Sequence, residues 1–212
     1  MNELSSTDNT VEQADALIID TGCANISSLK FALERLGYKI LVSKESADIR
    51  NAKKVFLPGV GSAEYAMAGI TERNLFDVIT ELKQPVLGIC LGMQLMTKHS
   101  LENNIDTPCL AVIDTQIDKI NAAEHIRLPH MGWNTLTNIK VSPLFDGISE
   151  QDYFYFVHTY CAPVSSHALA LCDYGQNFSA SLQQENYYGV QFHPERSGKS
   201  GAKLLKNFME LC

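Results

Sequence analysis

The sequence predicts an α/β protein: a three-layer α/β/α domain with a mainly parallel central sheet and antiparallel strands added to one side. Three observations predict it. Short apolar runs alternate with amphipathic helical stretches as far as residue 90. That order builds a parallel sheet covered on both faces. Beyond residue 150 the chain turns into closely spaced strand-like runs, which read as antiparallel pairs. The chain then closes on one amphipathic helix.

Taken in order, Ala16 to Asp20 is an apolar strand ending at a turn of small residues. Ser27 to Leu36 reads as a helix with Leu29, Leu33 and Leu36 on one face, stopped by Gly37. Lys39 to Val42 and Val55 to Leu57 read as strands, the second ending in Pro58-Gly59. Ser62 to Gly69 and Leu75 to Leu82 read as helical, and Val86 to Ile89 as a buried strand. Residues 100–130 show loop signals around Asn103 to Pro108 but no clear period. Strand-like runs follow at Tyr153 to Tyr160, Ala168 to Cys172, Phe178 to Leu182 and Tyr188 to Phe192. Gly201 to Leu211 is the closing helix, with Leu204, Leu205, Phe208 and Leu211 inward. The expected organisation is a polar, loosely ordered extension over residues 1–15 and a single domain over residues 16–212.

Bulk properties narrow the function. A net charge of −7 leaves no basic footprint for nucleic acid. No apolar run reaches the length of a bilayer crossing, so no membrane role is expected. The acidic N-terminus, with Glu3, Asp8, Glu12 and Asp15, lacks the apolar stretch of a signal peptide. The six cysteines, Cys23, Cys90, Cys109, Cys161, Cys172 and Cys212, are scattered without a C-x-x-C pair. Their spacing suits neither a disulfide framework nor a structural zinc site, and points to a reducing cytoplasm.

The sharpest signal is Val86-Leu-Gly-Ile-Cys-Leu-Gly-Met-Gln-Leu-Met96. A strand runs into a G-x-C-x-G turn and then a helix, which is a nucleophile elbow with sulfur in place of oxygen. Gly88 and Gly92 permit the tight turn. The helix start favours the Cys90 thiolate. The competing reading is a small buried free cysteine.

A thiolate nucleophile needs a base, and the base needs an orienting partner. His193 closes a strand and precedes Pro194-Glu195. In an extended segment, residues two apart point to the same side, so Glu195 can hold one ring nitrogen while the other faces the sulfur. The competing reading pairs Glu195 with Arg196 or Lys199. His99 and His125 sit in polar surroundings and His167 in a loop-like stretch. His130 and His158 flank aromatic or apolar residues, which suits a structural role.

Leu57-Pro58-Gly59-Val60-Gly61 is the third element. It is not a dinucleotide loop, because the third glycine of that fingerprint falls at Glu64. It suits an oxyanion hole, with the N–H groups of Val60 and Leu91 as candidate donors. A zinc-deaminase arrangement fails on order and ligand count: Pro108-Cys109 precedes His193 and has Val112 where a second cysteine belongs. No metal and no cofactor are expected.

Together these segments resemble the class I (triad) glutamine amidotransferases. Gly88-Ile-Cys-Leu-Gly-Met-Gln94 resembles their nucleophile segment and His193-Pro-Glu195 their catalytic pair. More narrowly, five blocks resemble the branch formed by the glutaminase subunits of imidazole glycerol phosphate synthase. They are Asp20 to Ser28, Pro58 to Gly61, Pro129-His-Met-Gly-Trp-Asn134, Tyr155-Phe-Val-His-Thr-Tyr160 and Gly189 to Ser197. The resemblance spans about residues 16–211. It implies Cys90, His193 and Glu195 as the catalytic residues, and Gly59, Gln94, Thr159 and Tyr160 around glutamine. It also implies a heterodimer in which ammonia passes to a cyclase on a (β/α)8 barrel, with Trp133, Tyr155 and Arg196 at or near the interface. Core packing is the competing reading for Trp133 and Tyr155, and a solvated charge for Arg196. Two alternatives stay open: a paralogous subunit feeding a surface-sugar pathway, and a catalytically silent activating scaffold.

Overall fold

The computed structural model describes residues 10–22, 25–121 and 126–212. Seven strands form the central sheet: β1 (Ala16–Ile19), β2 (Ile40–Ser43), β3 (Val55–Leu57) and β4 (Val86–Ile89), joined later by three strands of the second half. An antiparallel ribbon, β5 (His130–Thr135) and β6 (Tyr153–His158), lies between these two groups in sequence. The last three sheet strands are β7 (Ala168–Asp173), β8 (Asn177–Gln184) and β9 (Tyr187–Val190). The sheet order is β7-β8-β9-β4-β3-β1-β2. Every pair from β9 to β2 is parallel, and β7·β8 and β8·β9 are antiparallel.

Both faces of the sheet are covered. In β1, Ile18 enters one core while Leu17 and Ile19 enter the other, because successive side chains of a strand point to opposite faces. The first core takes Leu29 and Leu33 of α1 (Ile26–Arg35) together with Leu204, Leu205 and Phe208 of α6 (Gly198–Leu211). The second takes side chains from α2 (Ser46–Asn51), α3 (Ala63–Glu72), α4 (Phe76–Thr80) and α5 (Leu91–Leu95). The arrangement is the three-layer α/β/α fold that the sequence predicts. Gly37 ends α1 as expected: its φ is +95° and its N–H donates to Glu34 O at 2.9 Å.

The structure corrects the expected placement of the later strands. The run beginning at Tyr153 does not join the central sheet. It pairs instead with His130–Thr135, which shows no strand signal because Gly132 and Asn134 interrupt it. Only alternate side chains of β6 are buried, Phe154, Phe156 and His158, so one face suffices to hold it. By contrast β9 is buried throughout and lies inside the sheet, parallel to β4. Helix α2 carries no sequence signal; with six residues it is too short to show a period.

The expected extension over residues 1–15 is only partly described: residues 1–9 lie outside the described residues. Residues Val11–Gln13 form a 3-10 turn, Ala14 is buried, and the Lys39 N–H donates to Asp15 Oδ2 at 2.8 Å. This stretch is therefore attached to the domain rather than loose. Cys23, Ala24 and His125 also lie outside the described residues. Among the described residues, no helix is long and apolar enough to cross a membrane.

Candidate active site

Strand β4 delivers Cys90 to the carboxyl edge of the sheet, where parallel α/β folds place their ligands. Cys90 holds φ 53° and ψ −110°, a strained conformation for a residue with a side chain. Its N–H donates to Val190 O at 2.8 Å, which helps hold the turn. Two glycines make the turn possible by lacking side chains. A Cβ on Gly92 would overlap the Leu57 carbonyl oxygen, and one on Gly88 would lie 2.7 Å from Gly92 O. The elbow thus packs directly on the end of β3, where Pro58, Gly59, Val60 and Gly61 begin.

His193 follows β9. Its N–H donates to Tyr155 O at 2.9 Å, and its carbonyl accepts from Ser197 Oγ at 2.6 Å. Ser197 Oγ in turn accepts from the Tyr155 N–H at 2.9 Å. Strand β6 therefore clamps the turn that carries the histidine. Nδ1 of His193 lies 2.8 Å from Glu195 Oε1, and the two side chains are only 10% and 7% exposed. The contact exists, but not through the extended backbone anticipated from Pro194. Residues Pro194–Arg196 form a 3-10 turn, and only His193 itself is extended, at φ −102° and ψ 94°. A single tight turn brings the carboxylate back onto the ring.

Cys90, His193 and Glu195 line one cleft of about 420 Å3, with Gly59, Val60, Leu91, Gln94, Thr159 and Tyr160. Nε2 of His193 is buried and makes no formed hydrogen bond. Burial opposes the imidazolium, yet the contacts with Cys90 and then Glu195 outweigh it and push the His193 pKa up to about 10. The Cys90 sulfur also lies 4.0 Å from Val157 O.

The segment after β6 forms the facing wall. Tyr160 O accepts from Gln94 Nε2 at 3.1 Å and meets His158 Nδ1 at 2.8 Å. Thr159 O accepts from the Ile120 N–H at 3.0 Å. His158 Nε2 meets His130 Nδ1 at 3.0 Å within a cage of Phe156, Phe178 and Tyr174. Burial lowers both imidazoles, His130 to about 4 and His158 to about 3. They are neutral at pH 7 and brace the wall.

Trp133 does not enter the cleft. It is 56% exposed on the ribbon, with its ring 6.0 Å from that of Tyr155, so it is not a core residue. The Arg196 guanidinium stacks 4.3 Å from the Tyr155 ring centroid, and Arg196 also borders the cleft. These three side chains make a continuous path from the cleft to an exposed aromatic surface.

Two site residues carry no sequence signal. Glu102 borders the cleft, and its Oε2 accepts from the Ala63 N–H at 2.7 Å. It lies in the stretch without a readable period. Gln191 is fully buried beneath Cys90, in a position where strand periodicity predicts only packing. Among the described residues, no group of three or more His, Cys, Asp or Glu side chains is arranged to hold a metal ion.

Comparison with known proteins gives this geometry a context. The family profile "Glutamine amidotransferase class-I" matches residues 17–212. The imidazole glycerol phosphate synthase subunit HisH of Photobacterium profundum is 52% identical over 203 residues, covering 92% of this chain and 96% of that protein. The HisH subunit of Haemophilus influenzae is 53% identical over 193 residues, covering 91% and 96%. Among solved structures, one described as a glutamine amidotransferase superposes with a TM-score of 0.71 at 18% identity, covering 92% of this chain and 97% of its own. A glutamine amidotransferase from Thermotoga maritima superposes with a TM-score of 0.56 at 16% identity, covering 91% and 80%. These two show a shared fold. By the profile match and the identity to close relatives, the chain belongs to the class I glutamine amidotransferase family, enzymes that hydrolyse glutamine.

Proposed function

We propose that the chain is the glutaminase subunit of imidazole glycerol phosphate synthase, working through a Cys90–His193–Glu195 triad. The convergence of these three side chains in one cleft supports this reading most strongly. The thiolate attacks the side-chain carboxamide carbon of glutamine, and the carbonyl oxygen becomes an oxyanion. The N–H groups of Val60 and Leu91 receive that charge: Leu91 directly follows the nucleophile, and Val60 borders the same cleft. The tetrahedral intermediate collapses, the C–N bond breaks, and His193 gives its proton to the departing nitrogen, releasing ammonia. Water, deprotonated by His193, then attacks the γ-glutamyl thioester; the C–S bond breaks, glutamate leaves, and the thiolate–imidazolium pair is restored.

Gly59, Gln94, Thr159 and Tyr160 hold the glutamine. The main chain at 159–160 is fixed by Gln94 and Ile120, so the substrate meets a preformed edge. Glu102 is the other carboxylate bordering the cleft, and the α-ammonium of glutamine requires such an acceptor. Ammonia passes to a cyclase partner on a (β/α)8 barrel, which forms imidazole glycerol phosphate and an aminoimidazole carboxamide ribonucleotide. Trp133, Tyr155 and Arg196 border that partner, because they join the cleft to an exposed aromatic face. The names of the relatives at about 50% identity support the choice of synthase.

The test is a glutaminase assay on the chain alone and with a histidine-pathway cyclase carrying its nucleotide ligand. Slow hydrolysis that accelerates with the loaded cyclase is expected; equal rates overturn activation of the site by its partner. Cys90→Ala should reduce kcat by at least about a thousandfold while leaving assembly intact. Activity surviving that change overturns the nucleophile. Activation by a sugar-pathway partner alone would move the acceptor to that pathway.

A further inference from the structure

The end of β9 does more than lead to His193. Val190 O receives the Cys90 N–H at 2.8 Å. The next side chain, Gln191, donates from Nε2 to the Cys90 sulfur at 3.8 Å. Two residues on, His193 lines the same cleft as the sulfur. Two consecutive residues therefore touch the cysteine, one through its main chain and one through its side chain.

Gln191 is 0% exposed. A buried amide costs free energy unless both ends find partners, and a leucine or methionine would fill the same space without that cost. Both ends of this amide are occupied. Oε1 accepts from Gln94 Nε2 at 2.9 Å, and Nε2 is turned to the sulfur. The orientation follows from a group that cannot reverse. The Tyr160 carbonyl only accepts, and it receives Gln94 Nε2 at 3.1 Å. Gln94 must therefore present its nitrogen there. The Gln191 atom meeting that same nitrogen must be oxygen, which leaves the Gln191 nitrogen for sulfur.

We propose that Gln191 is a further catalytic residue, whose side-chain N–H stabilises the Cys90 thiolate and aims it into the cleft. The role rests on the reading of Cys90 as nucleophile. A hydrogen bond to sulfur strengthens when sulfur carries charge, and it does so most in a site sheltered from water. The same amide links the nucleophile through Gln94 to the Tyr160 main chain, so sulfur and substrate edge keep a fixed separation.

The experiment is the pH dependence of Cys90 alkylation by iodoacetamide in the full chain, with the labelled cysteine located by peptide mapping. Gln191→Glu retains an oxygen for Gln94 but removes the donor. Gln191→Met is uncharged, similar in size, and removes both contacts. Each variant is expected to move the alkylation midpoint to higher pH, slowing labelling below the midpoint by about tenfold. A Gln191→Glu profile that superimposes on the parent overturns the proposal. Circular dichroism checks folding; where the buried carboxylate prevents it, the Gln191→Met profile decides by the same criterion. A parent chain in which Cys90 reacts no faster than the partly exposed Cys212 overturns the nucleophile assignment itself, and the role of Gln191 with it.

Discussion

At Cys90 a strained backbone and a small set of contacts hold the sulfur that we propose as the nucleophile. The φ of 53° is held by the bond to Val190 O and by the absence of side chains at Gly88 and Gly92. His193 is the complementary half. Its folded pKa is raised from 6.5 to about 10, with burial opposing and Cys90 and Glu195 favouring the charged form. The unfolded chain releases that proton earlier, so the stabilisation is complete below about pH 6.5 and is lost as pH rises through about 10. Glu195→Gln removes one favouring contact and should bring the His193 titration to lower pH, which NMR of the imidazole nitrogens would follow. A midpoint equal to the parent's would show that Glu195 contributes nothing to the charge. Cys90 is legible in the sequence because its glycines are its neighbours. Gln191 is not, since its partners lie 97 and 101 residues away and nothing local distinguishes it from a packed strand residue.

The elbow works as an element because two βα turns press together. A Cβ at Gly92 would meet the carbonyl oxygen of Leu57, which is main chain and cannot swing aside. Gly92→Ala should cost about 3 kcal/mol, a fall in Tm of roughly 6–12 °C for a domain of this size. Glutaminase activity should fall further than stability does, because the shift moves Pro58–Gly61 and Cys90 apart. Thermal unfolding with unchanged Tm would mean that the turns separate freely. The ribbon of β5 and β6 has the opposite history. Its outer aromatic residues are readable, but its pairing is not. A strand with one buried face takes its identity from a partner, and here the partner contains Gly132 and Asn134. The same limit explains the turn at Pro194–Arg196: the sequence predicts a His193–Glu195 contact, whereas the route to it is a 3-10 turn set by Ser197 and Tyr155.

Across the whole molecule, the cleft opens beside an exposed aromatic surface. Trp133 is 56% exposed, yet it touches Tyr155, whose ring stacks on Arg196 at the cleft edge. Trp133→Ala should leave Tm within about 1 °C, since substitutions of exposed side chains outside packed features are usually small. It should weaken association with the cyclase by at least about tenfold, as an aromatic anchor at the centre of an interface does. Calorimetric titration of the two proteins would measure it. Unchanged affinity would place the docking face elsewhere.

Local sequence specifies the layered architecture, the parallel character of the early strands, and the two short segments that carry sulfur and imidazole. Each of these depends on residues close together in the chain: periodicity, capping glycines, a turn between a strand and a helix. Long-range contacts set which strands share a sheet, that Tyr153 to His158 stands apart from it, and that Gln191 lies under Cys90. Those outcomes depend on which distant backbone satisfies a hydrogen bond and which face is covered by a partner, and no local pattern of residues encodes that choice.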